Sequence, residues 1–289
     1  MDTIISESVI KKARTAYHRS LLDSILTVNT AGVPSNADSS NGLSIRIAKG
    51  ITDLLQSEYG ERSLAQTSGN KFEKINMQFV ESVISHLQHI RPANWTVQQL
   101  GNHNRYGISA FEQYSHLVEL NELAAANRVL ATAMGRDYMV CPDVIVFRDP
   151  LNDEELNAKE NLVDDSSALL TMLRKRNGGK QILHASISSK WTIRSDRSQN
   201  SRTEALNLIR NRKGHLPHIV VITAEPLPSR IASVALGTGD IDCVYHSFLY
   251  ELKESVRSTQ AEDAQELLDI MIEGKRVKDI SDLPFDLMI

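Results

Sequence analysis

The chain has little of what marks a secreted or membrane protein. Its 289 residues include two cysteines, Cys141 and Cys243, which are too few for a disulfide scaffold and suit a reducing compartment. Apolar runs such as IVVIT at 219–223 have the length of a buried strand, and none approaches a membrane span. The N-terminal MDTIISESVIKK lacks the basic-then-apolar order of a signal peptide. We therefore expect a cytoplasmic globular protein.

Several functional motifs are also missing. No Gly-rich loop follows a first strand, which argues against a methyltransferase, and no GxxxxGK[ST] sequence predicts ATP-driven translocation. We therefore expect no nucleotide cofactor. His86 and His89 are spaced for one helix face, but no further clustered ligand suggests zinc. The net charge of −4 argues against a protein that coats nucleic acid without specificity, although residues 190–213 are locally basic.

Hydrophobic periodicity predicts helices alternating with short buried strands. Helices are predicted near 4–28, 44–57, 69–90, 109–134, 166–176, 229–236 and 250–272, and strands at 141–147, 184–190, 218–226 and 242–246. An acidic stretch at 152–165 is predicted to be an exposed loop. This alternation indicates an α/β fold with a mixed central sheet flanked by helices. Without repeats or a clear linker, we expect one catalytic and DNA-recognition domain over 1–289.

The most informative stretch runs from 184 to 212. HASISSK at 184–190 alternates apolar and polar residues and is typical of a strand. A short charged segment follows, and helical periodicity is visible from about Ser201. We expect Ser201 to be the N-cap of that helix and Glu204 to lie in its first turn.

The residues around this strand could build a metal-dependent phosphodiesterase. Such a site needs acids that hold Mg²⁺ against the phosphate and a lysine that orients water and neutralises developing charge. Asp143, after Pro142, is the natural metal anchor, and Lys190 supplies the amine. The position two before the lysine, usually acidic in such sites, is Ser188. Glu204 could supply the missing carboxylate, and Glu73 is a further candidate acid.

Each of these residues also has a purely structural explanation. An Asp after Pro at a strand end is commonly a turn residue, and Glu204 could be a solvated residue favoured by the helix dipole. Lys190 could extend its stem along the strand end with its amine in water. A PD followed at a distance by SxK is by itself a weak signal.

The charged segment after the strand is more specific. Arginine donates two hydrogen bonds to O6 and N7 of guanine, and aspartate accepts from N4 of cytosine. Arg194, Asp196 and Arg197 lie within four residues, just past the lysine. On both halves of a palindrome they would read adjacent G·C pairs. The alternative is an exposed charged loop with internal ion pairs.

At this point the sequence resembles type II restriction endonucleases that cut CCGG-core sites, in the variant with a PD…SxK…E active site. The matching motifs are PDVIV at 142–146, HASIS–KWTIRSDR at 184–197, LPHIVV at 216–221, SNAD at 35–38, QTSGN–FE at 66–73 and KDISDLP at 278–284. The resemblance implies a restriction-endonuclease-like fold in a bacterial cytoplasmic enzyme. It further implies Mg²⁺-dependent double-strand cleavage of GCCGGC after the first G, leaving a 5′ CCGG overhang. A homotetramer, as a dimer of dimers engaging two sites, is also implied.

The resemblance assigns catalytic roles to individual residues. Asp143 would be the central metal ligand, Lys190 the catalytic lysine and Glu204 the displaced acid. Glu73 would be an additional acid, and Ser188 marks the vacated position. The metal ligands would be Asp143, Glu204 and the main-chain carbonyl of Ser189, with two Mg²⁺ per active site.

The resemblance also divides the base contacts. The inner CCGG would be read by Arg194, Asp196 and Arg197. The outer G·C pair would be read by Asp38, Ser40 and Arg230, and Gln66 would reach bases from the minor groove. The expected partners are double-stranded DNA and further copies of this chain, without a membrane.

Two alternatives to this function stay open. An endonuclease for a looser site such as RCCGGY would share the inner readers and differ in the outer contacts. A catalytically silent DNA-binding protein would keep the reading segment without turnover, although Asp143, Lys190 and Glu204 argue against it.

Overall fold

The computed structural model describes residues 7–59, 70–100, 107–134, 140–237 and 239–289. Within these ranges six strands form one sheet in the order β1 to β6. The first three strands pair antiparallel, and the strands from β3 to β6 pair parallel. The strands are β1 (Trp95–Gln99), β2 (Val144–Arg148), β3 (Ile182–Lys190), β4 (His218–Thr223), β5 (Cys243–His246) and β6 (Val277–Asp279). The expected mixed α/β sheet is confirmed.

The central strands form because their residues are apolar on both faces. Val144, Ile145 and Val146 of β2 are fully buried, and five of the six residues of β4 are buried. Such continuous apolar runs are typical of strands covered by helices on both sides. The sheet is therefore a rigid platform whose strand ends can position side chains.

The helices cover this sheet and complete the core. Their amphipathic faces explain their formation; in α3, for example, Phe72, Phe79 and Val83 recur at helical spacing and are buried. Among the described residues, no helix is long and apolar enough to cross a membrane. The helices are α1 (Val9–Ser24), α2 (Gly42–Tyr59), α3 (Asn70–Ile84), α4 (His116–Ala126), α5 (Arg128–Met134), α6 (Asp153–Leu156), α7 (Ser195–Asn211), α8 (Pro228–Ala235), α9 (Leu249–Ser258), α10 (Glu262–Glu273) and α11 (Leu283–Asp286).

The segment at 151–177 differs from its predicted structure. The helix expected at 166–176 is wrong: this stretch is turns ending in a 3-10 helix, Lys175–Asn177. The acidic stretch contains the short helix α6, opened by a capping box on Asn152. The Arg174 guanidinium is fully buried and donates to Asp153 and to the Ser167 carbonyl. These bonds fold the segment back on itself in place of helical packing.

Two predicted long helices are interrupted. The prediction at 109–134 is replaced by two 3-10 turns, Gly107–Ala110 and Glu112–Tyr114, followed by α4 and α5. The prediction at 250–272 divides into α9 and α10, because Gln260 adopts the left-handed conformation with φ of 56°. In both regions apolar spacing continues across the break, so periodicity alone does not reveal it.

Candidate active site and DNA-reading groove

The antiparallel pairing of β2 and β3 brings Asp143 to Lys190. Val144 pairs with Ile187, so the residue before β2 lies beside the end of β3. One oxygen of Asp143, Oδ2, accepts the Ser189 N–H at 2.7 Å and the Lys190 ammonium at 3.1 Å. Both charged side chains are less than one-fifth exposed, which strengthens their attraction relative to a surface pair. The carboxylate is thus fixed where a phosphate could approach it.

Two further acids approach this pair from different helices. Glu73 in α3 accepts a hydrogen bond from the Gln99 amide at the end of β1, at 2.8 Å. Burial raises the pKa of Glu73, and the negative charge of Asp143 raises it further. Burial also raises the pKa of Glu204 in α7, with Lys190 lowering it and Asp143 raising it. Both glutamates therefore lie within electrostatic reach of the Asp143–Lys190 pair.

The thiol of Cys141 lies within electrostatic range of the same carboxylates. Its pKa is raised by burial and then by Asp143, Glu204 and Glu73. All three carboxylates therefore lie within electrostatic range of the Cys141 thiol. Ser188 lies on the same face of β3 as Lys190, since the two are two positions apart along the strand. Its hydroxyl is buried and has no hydrogen-bond partner among the residues that the structure describes.

A chain of buried hydrogen bonds holds the end of β3 in place, and the sequence analysis does not predict it. The Asn76 amide donates to Ser189 Oγ at 3.0 Å, while the Asn76 carbonyl oxygen accepts from the Tyr17 hydroxyl at 2.7 Å. Asn76 lies three residues after Glu73 in α3, on the same helix face. This three-residue spacing from Glu73 is the sequence signal that could have identified Asn76. The contact fixes the residue between Ser188 and Lys190.

The charged segment at 194–197, the proposed reading segment, lies at the start of a helix, which corrects the sequence prediction. Helix α7 starts at Ser195 with Arg194 as its N-cap, so Ser201 is interior and Glu204 lies in the third turn. The first helical residues, SDRSQN, contain no apolar side chain, so periodicity becomes visible only at Ala205. Arg194 is exposed at the N-terminus of α7. Asp196 and Arg197 lie in the first turn, and their side chains lie outside the described part of the structure.

Arg194 lines a surface groove together with the three expected outer readers. The groove has a volume of about 650 Å³ and includes Asp38, Ser40 and Arg230. Asp38 accepts the Ser40 hydroxyl at 2.7 Å and is ion-paired with Arg230. The hydrogen bonds from Ser40 and then the Arg230 guanidinium lower the pKa of Asp38 to about 2. Gln66, the expected minor-groove contact, lies outside the described residues.

The geometry thus joins an acidic cluster with a lysine to a groove bearing arginine and aspartate. Residues 17–289 match the family described as NgoMIV restriction enzyme. The chain is also 57% identical over 278 residues to the type II restriction enzyme NgoMIV of Neisseria gonorrhoeae, covering 96% of this chain and 97% of that protein. The chain therefore belongs to the NgoMIV restriction enzyme family, whose members are type II restriction endonucleases, site-specific deoxyribonucleases that hydrolyse DNA.

Proposed function

We propose that this enzyme cuts double-stranded DNA at the palindrome GCCGGC after the first G, in a Mg²⁺-dependent reaction that leaves a 5′ CCGG overhang. One observation carries the proposal: Asp143 accepts hydrogen bonds from Ser189 and Lys190 at the end of β3, and the reading segment starts only four residues later. Cutting and reading groups thus share one strand–helix unit. Its DNA substrate places the enzyme in the bacterial cytoplasm.

The residues at this strand end fit a hard divalent cation. Asp143 contacts the Lys190 ammonium, and Glu73 and Glu204 lie within electrostatic range of both, so negative charge is in excess. Carboxylate and carbonyl oxygens are the ligands that Mg²⁺ prefers. Within the described ranges, no group of three His, Cys, Asp or Glu side chains is placed to hold a metal ion by itself. We therefore assign the protein ligands to Asp143, Glu204 and the Ser189 carbonyl, with two Mg²⁺ per active site and the remaining positions filled by phosphate and water.

The side chains have separate roles in this proposal. Bound Mg²⁺ would polarise the scissile phosphate and acidify a water molecule. Lys190, held by Asp143, would orient the attacking water and neutralise charge developing on the phosphate. Glu73, whose oxygen accepts a hydrogen bond from Gln99, would supply an additional acid near the reacting oxygens. The unpartnered Ser188 hydroxyl supplies a further oxygen beside Lys190.

The reading groove supports recognition of G·C pairs. We assign the inner CCGG to Arg194, Asp196 and Arg197. We assign the outer G·C pair to Asp38, Ser40 and Arg230, with Gln66 in the minor groove. The Arg230–Asp38 ion pair juxtaposes a guanidinium donor and a carboxylate acceptor, the two groups that guanine and cytosine require. Because strand β3 leads directly into α7, one domain serves both catalysis and recognition.

An apolar surface supports assembly into a homotetramer, as a dimer of dimers engaging two sites. In the folded-back segment at 151–177, Leu162 is 58%, Leu169 48% and Leu170 96% exposed. Large exposed leucines grouped on one segment are typical of protein–protein contacts. The ion pair between the buried Arg174 and the partly exposed Asp153 holds the segment in shape. The family resemblance implies that the partner at this surface is a second copy of the chain.

Cleavage of defined duplexes tests the proposed function. Three DNAs would carry GCCGGC, ACCGGT or neither, and each would be incubated with Mg²⁺, Ca²⁺ or EDTA before the ends are sequenced. We expect cutting only at GCCGGC and only with Mg²⁺. Equal cutting of ACCGGT would establish the looser RCCGGY site, and binding without any product would establish a silent DNA-binding protein. Faster cutting of two-site than one-site plasmids would test the two-site assembly.

A further inference from the structure

Glu225 is a fully buried carboxylate that the catalytic centre does not use. It follows β4, and its main chain is fixed on both sides. Its N–H donates to Thr223 Oγ1 at 3.1 Å, and its carbonyl oxygen lies 3.0 Å from His246 Nε2. Because His246 Nδ1 accepts the Phe248 N–H, the ring proton is on Nε2, which donates to Glu225. A buried carboxylate held this firmly needs partners for its own charge.

The two carboxylate oxygens bind the starts of two different helices. Oε2 accepts the N–H of Ile193 at 2.8 Å, and Oε1 accepts the N–H of Leu227 at 3.2 Å. Ile193 immediately precedes Arg194, the N-cap of α7, and Leu227 is the N-cap of α8. The parallel register of β3 and β4, with Lys190 opposite Thr223, brings these two helix starts to the same edge of the sheet.

The same carboxylate lies beside the outer reader. Arg230 Nη1 is 3.9 Å from Glu225 Oε2, while the other side of that guanidinium is paired with Asp38. The loop that carries Asp38 is tied to the same strand end, since the Asn36 amide donates to the Ala224 carbonyl at 3.0 Å. The groove lined by Asp38, Arg194 and Arg230 therefore has Glu225 beneath it.

We propose that Glu225 is a positioning residue for sequence specificity, which holds the inner readers on α7 and the outer reader on α8 at a fixed separation. This inference rests on the proposed assignment of those readers. It goes beyond that assignment because Glu225 touches no base and is shared by both sets. Loss of its carboxylate loosens discrimination at the inner and outer base pairs together, whereas loss of a single reader affects one pair.

The test compares kcat/KM of the full-length enzyme on GCCGGC, on ACCGGT with the outer pair changed, and on GCATGC with the inner pair changed. Glu225→Gln keeps the side-chain size but replaces one acceptor with a donor. We expect it to lose about tenfold in discrimination at both pairs, part of the value of a bidentate contact. Arg230→Ala should lose discrimination at the outer pair alone, and Arg194→Ala should lose discrimination at the inner pair alone.

A matched control separates positioning from general destabilisation. Glu251, another buried glutamate, is paired with Arg14 away from the groove, so Glu251→Gln should leave both discrimination ratios unchanged. Unchanged ratios in a folded Glu225→Gln enzyme, or equal slowing on every DNA, would overturn the inference. Failure of the wild type to cut GCCGGC would instead refute the proposed function on which it rests.

A second measurement requires no variant. Amide hydrogen exchange of Ile193 and Leu227 in the wild-type enzyme should be slow, because both N–H groups donate to a buried carboxylate. Binding of GCCGGC duplex in Ca²⁺ should slow it further. Rapid exchange at either amide in the complex would show that the two helix starts are not held by Glu225.

Discussion

Replacement of Asp143 by Asn tests the catalytic centre most directly. The variant keeps the shape of the side chain but removes the charge that attracts the Lys190 ammonium at 3.1 Å and the Ser189 N–H at 2.7 Å. Loss of a charge-assisted hydrogen bond costs about 1.5–3 kcal/mol. Relief of repulsion offsets this cost, because Asp143 helps to raise the pKa of both Glu73 and Glu204. We expect the free energy of unfolding to change by no more than about 2 kcal/mol.

Cleavage should respond far more strongly than stability. Without the proposed central metal ligand, we expect the rate on GCCGGC to fall by at least about a thousandfold, while specific duplex still binds in Ca²⁺. Single-turnover cleavage, duplex binding and urea unfolding measure the three quantities. Asp149→Asn, at the opposite end of β2 where Asp149 accepts from Gln181, is the matched control and should cut normally. Retained turnover in Asp143→Asn, or unfolding of the variant, would contradict the assignment.

Three other outcomes are expected. Arg194→Ala should cost about 1–3 kcal/mol of discrimination at one inner G·C pair, measured as relative kcat/KM, and equal weakening on all DNAs would make Arg194 a phosphate contact. Leu170→Glu should shift the proposed tetramer towards smaller species in analytical ultracentrifugation, and an unchanged oligomeric state would argue against an interface at this segment. Burial lowers the pKa of His184 to about 4, so its contribution to stability, up to about 3 kcal/mol, is present above pH 6.5 and lost as pH falls towards 4. Urea unfolding from pH 7.5 to 5 should therefore show a smaller decline in His184→Gln, and an identical slope would refute this. The charged or titratable neighbours of His184 are Arg91, His215 and His218.

The sequence was most informative where a pattern is local and apolar. The strands around 144–148 and 218–223 are predicted because continuous burial leaves a run of Val and Ile, and the strand at 184–190 is predicted from its alternation of apolar and polar residues. Strands β1 and β6 have five and three residues and leave no such run. The start of α7 was misplaced because its first turns are polar, so their helical conformation carries no hydrophobic signal.

The residues of the candidate site likewise divide into those that the sequence predicts and those that it does not. Asp143, Lys190, Glu204 and Glu73 could be proposed from residue type and position, and the family resemblance added the outer readers. Gln99 and Glu225 were not predicted, because their importance lies in contacts between elements that are distant along the chain. No periodicity marks a side chain whose partner is a main-chain N–H on another helix. Such residues become visible only when the sheet register is known.

The short path from Lys190 to Arg194 has a consequence for how such enzymes diverge. Three residues connect the Lys190 amine at the proposed cut to Arg194, the first proposed base-reading side chain, and Ile193 among them is buried and bonded to Glu225. The distance along the DNA between the cleaved phosphodiester and the recognised bases is therefore set by this one short connection. Substitutions in the groove can change which base pairs are accepted. A different overhang length would require a change in the segment between Lys190 and Arg194.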